Sequence, residues 1–314
     1  MKILVSGIHG FVGRGLAKAF AELEDIEVCG LSRSTDPVEG VSKIFTWNDL
    51  YADSVPDNFD SVMHLAGIAH DTKGQEHADE YRRVNVGLTE KLYTYFAGSR
   101  ARKFIFFSSI KAVADSSAKP LTETETPHPI GLYGCSKLMA EQHIMSGPLP
   151  DKEVYILRPA MIFGPGAKGN LPLLCAFVRR GLPWPLGAWH SSHSFVSIDN
   201  VCYVLREILT GKVPDGIYNL SDDSPISVNE LVSMISRQTG RKARIWRVPR
   251  PLVKTMAALA AILHLPYDSS RLHKITEPYI VSNAKIRAAL GIDRLPVDTT
   301  TALEHTIKTL VRAR

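Results

Sequence analysis

Tyr133 and Lys137 stand four positions apart in the pentapeptide YGCSK, residues 133–137. The longer stretch YGCSKLMAEQHIM has helical periodicity, and on a helix the two side chains share a face one turn apart. An ammonium beside a phenol favours the phenolate and draws the phenol pKa down from about 10 toward the working pH. A phenol so poised can give a proton to a carbonyl oxygen or take one from an alcohol. That chemistry calls for a second donor at the oxygen where charge develops. FFSSIKA ends an apolar run upstream, so Ser108 and Ser109 lie at the carboxyl edge of a strand and are the candidates.

These side chains need a scaffold, and the hydrophobic pattern describes one. KILVS (2–6), IEVCGL (26–31), SVMHLA (61–66), KFIFFS (103–108) and EVYILR (153–158) read as buried strands. Helical patterns separate them, over 11–23 with Val12, Leu16, Phe20 and Leu23 on one face, over 78–97 and over 133–145. Strands buried on both faces and alternating with helices form a parallel, doubly wound α/β sheet.

SGIHGFVGRG follows the first strand and opens the first helix. In its G-x-x-G-x-x-G spacing Gly7 permits the tight turn, Gly10 lets the backbone approach a pyrophosphate, and Gly13 lets helix pack on strand. The helix N-terminus, at Phe11 and Val12, offers free N–H groups and partial positive charge to that anion. The implied ligand is a dinucleotide in a Rossmann-type fold, and Lys137 is then placed to hold a nicotinamide ribose. An acid ending the second strand accepts the 2′-OH of NAD, whereas an arginine accommodates the 2′-phosphate of NADP. Here the strand ends GLSRS, with Ser32 at the acid's position and Arg33 after it, and His9 and Arg14 nearby. The expectation is NADP or NAD, with NADP favoured; the other reading of Arg33 is a solvated surface charge.

After Arg158 the alternation breaks. IFGPGAKGNLPLL and RRGLPWPLG are rich in glycine and proline, as loops at a ligand mouth or domain junction are. Segments 199–210, 227–238, 250–263 and 298–312 read as helices, and SFVSI and IYNLS as short strands. The expected division is a dinucleotide-binding domain over 1–165, to which 195–222 returns, and a mainly substrate-binding lobe over 166–314. The 314 residues carry a net charge of +5, with no run of five or six like charges, which does not indicate a nucleic-acid partner. Cys29, Cys135, Cys175 and Cys202 form no C-x-x-C and read as free thiols in a reducing cytosol. WHSSH pairs His190 with His193 without a third ligand at a plausible spacing, so no metal is expected. His64 and His70 read as core or cofactor-adjacent, and Trp184, Trp189 and Trp246 as packing, with Trp184 also able to edge a ligand pocket. The longest apolar stretch, Met256 to Leu263, is too short to span a bilayer. The expectation is a cytoplasmic protein with no membrane partner.

The ordered set GxxGFVG, HLAG (64–67), VNVG (84–87), FFSSIKA, YGCSK and LRPAMIFGPG (157–166) resembles the extended short-chain dehydrogenase/reductase superfamily, in its nucleotide-sugar epimerase/dehydratase branch. SSIK, KGNLPLL, RRGLPWPLG and SFVSIDNV further resemble 4-reductases of UDP-4-keto-6-deoxy-hexosamines and 4-epimerases of UDP-hexosamines in polysaccharide precursor synthesis. By this resemblance Tyr133 is the proton donor and acceptor, Lys137 its partner, and Ser109 the hydroxyl on the reacting oxygen. Ser108 touches the cofactor or caps the strand end. Leu65, Ala66 and Gly67 line the cofactor channel and Asn85 supports it. Asp49, with Leu50, resembles the acid near the adenine, and Pro159 backs the nicotinamide. Asn170 and Arg271 resemble residues contacting the nucleotide diphosphate. The resemblance also implies a homodimer through the helices near 78–97 and 133–145.

Two departures stand out. His193 in HSSHSFVSI occupies the place where relatives often carry an arginine, which shifts diphosphate binding toward Arg271 or a partly protonated His193. SSIKAVAD lacks the glycine that usually closes the serine segment. The resemblance implies a 4-ketoreductase, with hydride delivered to the ketone carbon and a proton from Tyr133 to its oxygen. The alternative is a 4-epimerase with retained NAD. A non-catalytic NADP-sensing regulator on the same fold is disfavoured because such proteins typically lack the tyrosine and lysine.

Overall fold

The computed structural model describes residues 1–69, 78–167, 169–211, 213–255 and 276–312. In chain order the first half comprises β1 (Lys2–Ser6), α1 (Phe11–Ala21), β2 (Glu27–Ser32), β3 (Lys43–Thr46), α2 (Trp47–Tyr51), β4 (Ser61–His64), α3 (Ala78–Tyr81), α4 (Leu88–Gly98), β5 (Lys103–Phe107), β6 (Ser117–Leu121), α5 (Leu132–Ser146) and β7 (Glu153–Pro159). The second half adds β8 (Met161–Phe163), α6 (Asn170–Arg179), β9 (Ser192–His193), β10 (Phe195–Ser197), α7 (Ile198–Thr210), β11 (Gly216–Leu220), β12 (Ile226–Ser227), α8 (Val228–Gln238) and β13 (Tyr279–Val281), followed by helices Ala284–Leu290 and Thr299–Arg312.

Seven strands form one parallel sheet in the order β11-β7-β5-β4-β1-β2-β3. Alternate side chains feed opposite faces. Ile3, Val5, Ile105 and Leu157 pack with Leu16 and Phe20 of α1 and Val201, Val204 and Leu205 of α7. Leu4, Leu31, Phe104 and Ile156 pack on the other side with Leu92 and Phe96 of α4 and Ala140 and Ile144 of α5. The strand order reverses at β1, which pairs with β2 on one side and β4 on the other, so a crevice opens at its carboxyl end.

A third core joins α6, α8 and helix Thr299–Arg312 around Leu171, Leu231, Ile235 and Leu303. A small sheet ordered β12-β9-β13-β6 carries the second half back over the strand ends. Two of these elements were not among those read from the sequence, α6 lying in a stretch read as a loop. α6 opens with Pro172 in its first turn, where a missing N–H costs nothing, and buries Leu171, Cys175 and Val178 at helical spacing. β6 holds Pro120, tolerated because β6 is the edge strand of its sheet. The helix expected over 78–97 is α3 and α4 joined by a π-helical turn, Arg82–Gly87. The helix expected over 250–263 is described only to residue 255, and Arg271 and His70 lie outside the described residues.

Candidate active site

The glycine turn is built for close backbone approach. Gly7 has φ +73°, and a Cβ there would lie 2.7 Å from the Ala66 nitrogen. A Cβ on Gly13 would lie 2.5 Å from the Gly7 carbonyl oxygen. Gly10 caps α1, whose first turn, containing Phe11 and Val12, holds no acid. The bare backbone and the unopposed positive end of α1 fit a pyrophosphate. Ser32 ends β2 next door. His9 Nε2 donates to the Asp36 carbonyl at 2.8 Å, so its Nδ1 accepts from Ser32 Oγ at 2.7 Å. Arg14 Nε reaches the His9 carbonyl at 3.1 Å. Arg33 is exposed beside this bridge.

A buried relay ties β1 to β4 and the π turn. Thr89 Oγ1 donates to the Asn85 carbonyl at 2.7 Å, so it accepts from His64 Nε2 at 3.0 Å. His64 Nδ1 then accepts from Ser6 Oγ at 2.6 Å, and Ser6 Oγ accepts from the Ala66 N–H at 3.2 Å. Burial, with the Lys137 charge, pushes the His64 pKa down to about 3, so the ring is neutral. The buried Asn85 side chain accepts from the Ile68 N–H at 2.9 Å and donates to the Ile68 carbonyl and to Ser136 Oγ, at 3.1 and 2.9 Å. Leu65, Ala66 and Gly67 are thereby fixed against the glycine turn. Such single π turns inside helices occur frequently at functional sites.

Lys137 is buried, and its Nζ donates to the Phe107 carbonyl at 2.7 Å above the Phe106 ring. A Cβ on Gly67 would come within 3.2 Å of Nζ, so the lysine lies against the HLAG loop. Burial lowers the Lys137 pKa to about 8, and the Glu141 charge one turn on opposes it. Tyr133 sits half-buried beside Tyr81, ring centroids 6.5 Å apart. Its phenol is held above the ordinary range, by burial first and Tyr81 after it, with a hydrogen bond to Ser109 opposing. The lowering expected from Lys137 is not the outcome here: the ammonium is directed at the Phe107 carbonyl, and burial decides the sign. Tyr279 of β13 joins the cluster, donating to the Ala114 carbonyl at 2.7 Å, its own phenol pushed up by burial, Asp115 and Tyr133.

The two serines separate. Ser109 caps the 3₁₀ turn Ile110–Ala112, accepting from the Lys111 N–H at 3.2 Å, and reaches Tyr133. Ser108 turns the other way and donates to the Glu141 carboxylate. Successive residues of an extended strand end point to opposite sides, so only one of the pair can meet the phenol. The Ser108 hydroxyl is thereby engaged at the strand end by Glu141. Glu141 is fully buried and also accepts from Arg158 at 2.6, 3.0 and 3.2 Å. The sequence reading missed this pair, although Glu141 follows Lys137 at helical spacing and Arg158 directly precedes Pro159.

Other candidates fall farther along the crevice. Pro159 is buried at the end of β7. Asp49 closes a capping box with Thr46, whose backbone N–H and hydroxyl donate at 2.7 and 2.8 Å, and its pKa is lowered by these bonds. Leu50 buries its side chain in the core and offers a ligand none of it. Asn170 is exposed at the first position of α6. His193 pairs with Ile226 and Tyr279 in the small sheet, the latter linking it toward Tyr133. Among the described residues no group of three His, Cys, Asp or Glu could hold a metal, and no helix is long and apolar enough to cross a membrane.

Read along the sheet edge, the proton-transfer cluster stands over β5 and β4, the glycine turn over β1, Ser32 over β2 and Asp49 after β3. Five adjacent strands span roughly 19 Å, an elongated cradle of the shape a dinucleotide takes across a switch point. Fold and site together define an enzyme of the NAD(P)-dependent short-chain dehydrogenase/reductase type. Residues 3–221 match the NAD dependent epimerase/dehydratase family, and the chain belongs to that family. UDP-glucose 4-epimerase of Vibrio cholerae is 30% identical, over 80% of this chain and 79% of that one. UDP-2-acetamido-2,6-beta-L-arabino-hexul-4-ose reductase of Pseudomonas aeruginosa is 26% identical, over 86% of this chain and 66% of that one. Among solved structures, MoeE5 in complex with UDP-glucose and NAD superposes with a TM-score of 0.76 at 21% identity, covering 100% of this chain and 99% of that one.

Proposed function

We propose that the chain acts at C4 of a UDP-linked sugar and, more narrowly, that it is a 4-ketoreductase of a UDP-4-keto-6-deoxy-hexosamine. The observation carrying the narrower reading is the end of β2, where Ser32 is bridged to His9 beside Arg33 and no carboxylate terminates the strand. That chemistry suits a 2′-phosphate, and a reductase exchanges such a cofactor at each turnover. A phenol held protonated also suits an enzyme whose first act is to donate a proton.

Bound in the crevice, the dinucleotide supplies hydride to the sugar carbon. Gly7, Gly10, Gly13 and the start of α1 take its pyrophosphate; Ser32 and Arg33 take the 2′ substituent. Leu65, Ala66 and Gly67 line its channel, Asn85 holds that loop, and Pro159 backs the nicotinamide. Tyr133 gives its proton to the ketone oxygen while Ser109 hydrogen-bonds the same atom. Lys137, one turn away on the same helix face, is the partner in this reading for the phenolate left behind, its ammonium turning from the Phe107 carbonyl. Asn170 and His193, with Arg271, hold the diphosphate. A homodimer through the helices near 78–97 and 133–145 belongs to the same reading, and Met139 and Met145 are exposed on α5. The second reading, a 4-epimerase with retained NAD, is favoured by the 30% identity to the Vibrio cholerae epimerase and uses the same residues.

Incubation with UDP-4-keto-6-deoxy-hexosamines and with UDP-hexosamines, with and without NADPH, separates the readings. Ketone-dependent NADPH oxidation is the expected result. Isomerisation without net oxidation establishes the epimerase instead, and inertness toward both sugar classes overturns the UDP-sugar assignment. Tyr133→Phe abolishes turnover while retaining cofactor binding.

A further inference from the structure

Between Leu231 and Thr255 the chain carries seven lysines and arginines and no aspartate or glutamate. The stretch from Asn170 to Ile198 is also free of acids and contributes Arg179 and Arg180. Sequence separation disperses these charges, and the fold joins them. The Trp184 N–H donates to the Arg244 carbonyl at 2.8 Å, the Trp246 N–H to the Trp184 carbonyl at 2.8 Å, and the Gly187 N–H to the Trp246 carbonyl at 3.0 Å. Arg244 reaches across to the Gly181 carbonyl at 3.0 Å, and Arg250 to the Ala188 carbonyl at 3.0 Å. Residues 180–189 and 241–250 are therefore one surface.

On that surface Arg180, Arg241, Lys242, Arg244, Arg247 and Arg250 are all exposed. Among the described residues no carboxylate pairs with any of them; the nearest pair along the chain is Arg237 with Glu304, at 3.6 Å. Apolar side chains are interleaved with the cations: Leu182 is 45% exposed, Trp246 52% and Leu252 53%. The rest of the molecule holds more acids than bases, so the net positive charge resides on this face.

We propose that this face docks on the surface of a bilayer containing anionic lipid. Clustered lysines and arginines are attracted to an anionic leaflet, and each adds to binding within a Debye length. Interleaved leucine and tryptophan insert at the headgroup boundary, where the indole is favoured. A nucleic-acid partner accounts for the cations but not for exposed aliphatic side chains set among them. Docking on a bilayer needs no spanning segment, so it is compatible with the absence of any such helix among the described residues.

The test is co-sedimentation of the full chain with phosphatidylcholine vesicles, with and without about one-third phosphatidylglycerol. Binding to the anionic vesicles alone is expected, reduced at least tenfold by Arg244→Glu with Arg247→Glu and strongly weakened by salt. A blue shift of tryptophan emission on vesicle addition, lost in Trp246→Phe, reports insertion without changing charge. Turnover of a soluble substrate by these variants stays within twofold, which shows them folded. Failure of the wild-type chain to bind anionic vesicles overturns the proposal. So does undiminished binding by the charge-reversed variant, or tighter binding to an oligonucleotide than to the vesicles.

Discussion

At the scale of single residues, Tyr133 and Lys137 were legible because a helix repeats every four residues and the pair lies within one turn. The choice of Ser109 over Ser108 came from family resemblance; the residue pattern alone left both serines at the strand end. The choice depends on which side of a strand end each side chain leaves, and the Glu141 carboxylate settles it from another element. His64 was a histidine of undetermined role in the sequence; its neutrality follows from burial between Ser6 and Thr89. Its pKa of about 3 lies below the unfolded value near 6.5, so the unfolded chain binds the extra proton between those limits. Stability is therefore full above pH 6.5 and falls as pH drops, by about 2 kcal/mol at pH 5 for a slope of about 1.4 kcal/mol per unit. Urea denaturation at pH 7 and pH 5 measures this. His64→Asn has a static cost but loses this part of the pH dependence, and an unchanged pH slope in the variant would refute the assignment.

At the scale of elements, α5 carries both the phenol and the ammonium, and one buried ion pair ties it to the sheet. Glu141 on α5 grips Arg158 on β7 and Ser108 at the end of β5, so three elements converge on one carboxylate. Breaking a buried pair on one side strands the other charge and costs about 3–5 kcal/mol. Glu141→Gln is expected to lose stability on that scale in chemical denaturation. It also removes the charge that holds the Lys137 pKa up, so the alkaline limb of kcat/KM, expected near pH 8, moves to lower pH. A variant that loses stability with an unmoved limb would make Glu141 purely structural. Two of the elements that sequence patterning missed, β6 and α6, contain proline. Position within the element decides whether proline breaks it, and edge position or first-turn position is known only once the fold is formed.

At the scale of the whole molecule, the ligand expected in the crevice touches the ends of five strands, so cofactor choice is a property of the assembled sheet edge. Thermal-shift titration is expected to show NADP binding at least as tightly as NAD, with Arg33→Ala weakening NADP about tenfold, the range of one charge-assisted phosphate contact. Tenfold tighter NAD binding would refute the NADP preference and favour the epimerase reading. Sequence alone determined the local matters: the buried strands, the glycine turn, and the helix bearing Tyr133 and Lys137. These follow from side-chain period and backbone sterics, which act within a few residues. Tertiary structure decided which serine meets the phenol, the upward shift of the Tyr133 pKa, and the gathering of dispersed cations on one face. Each of those depends on burial and on neighbours remote in the chain, and desolvation and Coulomb forces act through space whatever the order of residues.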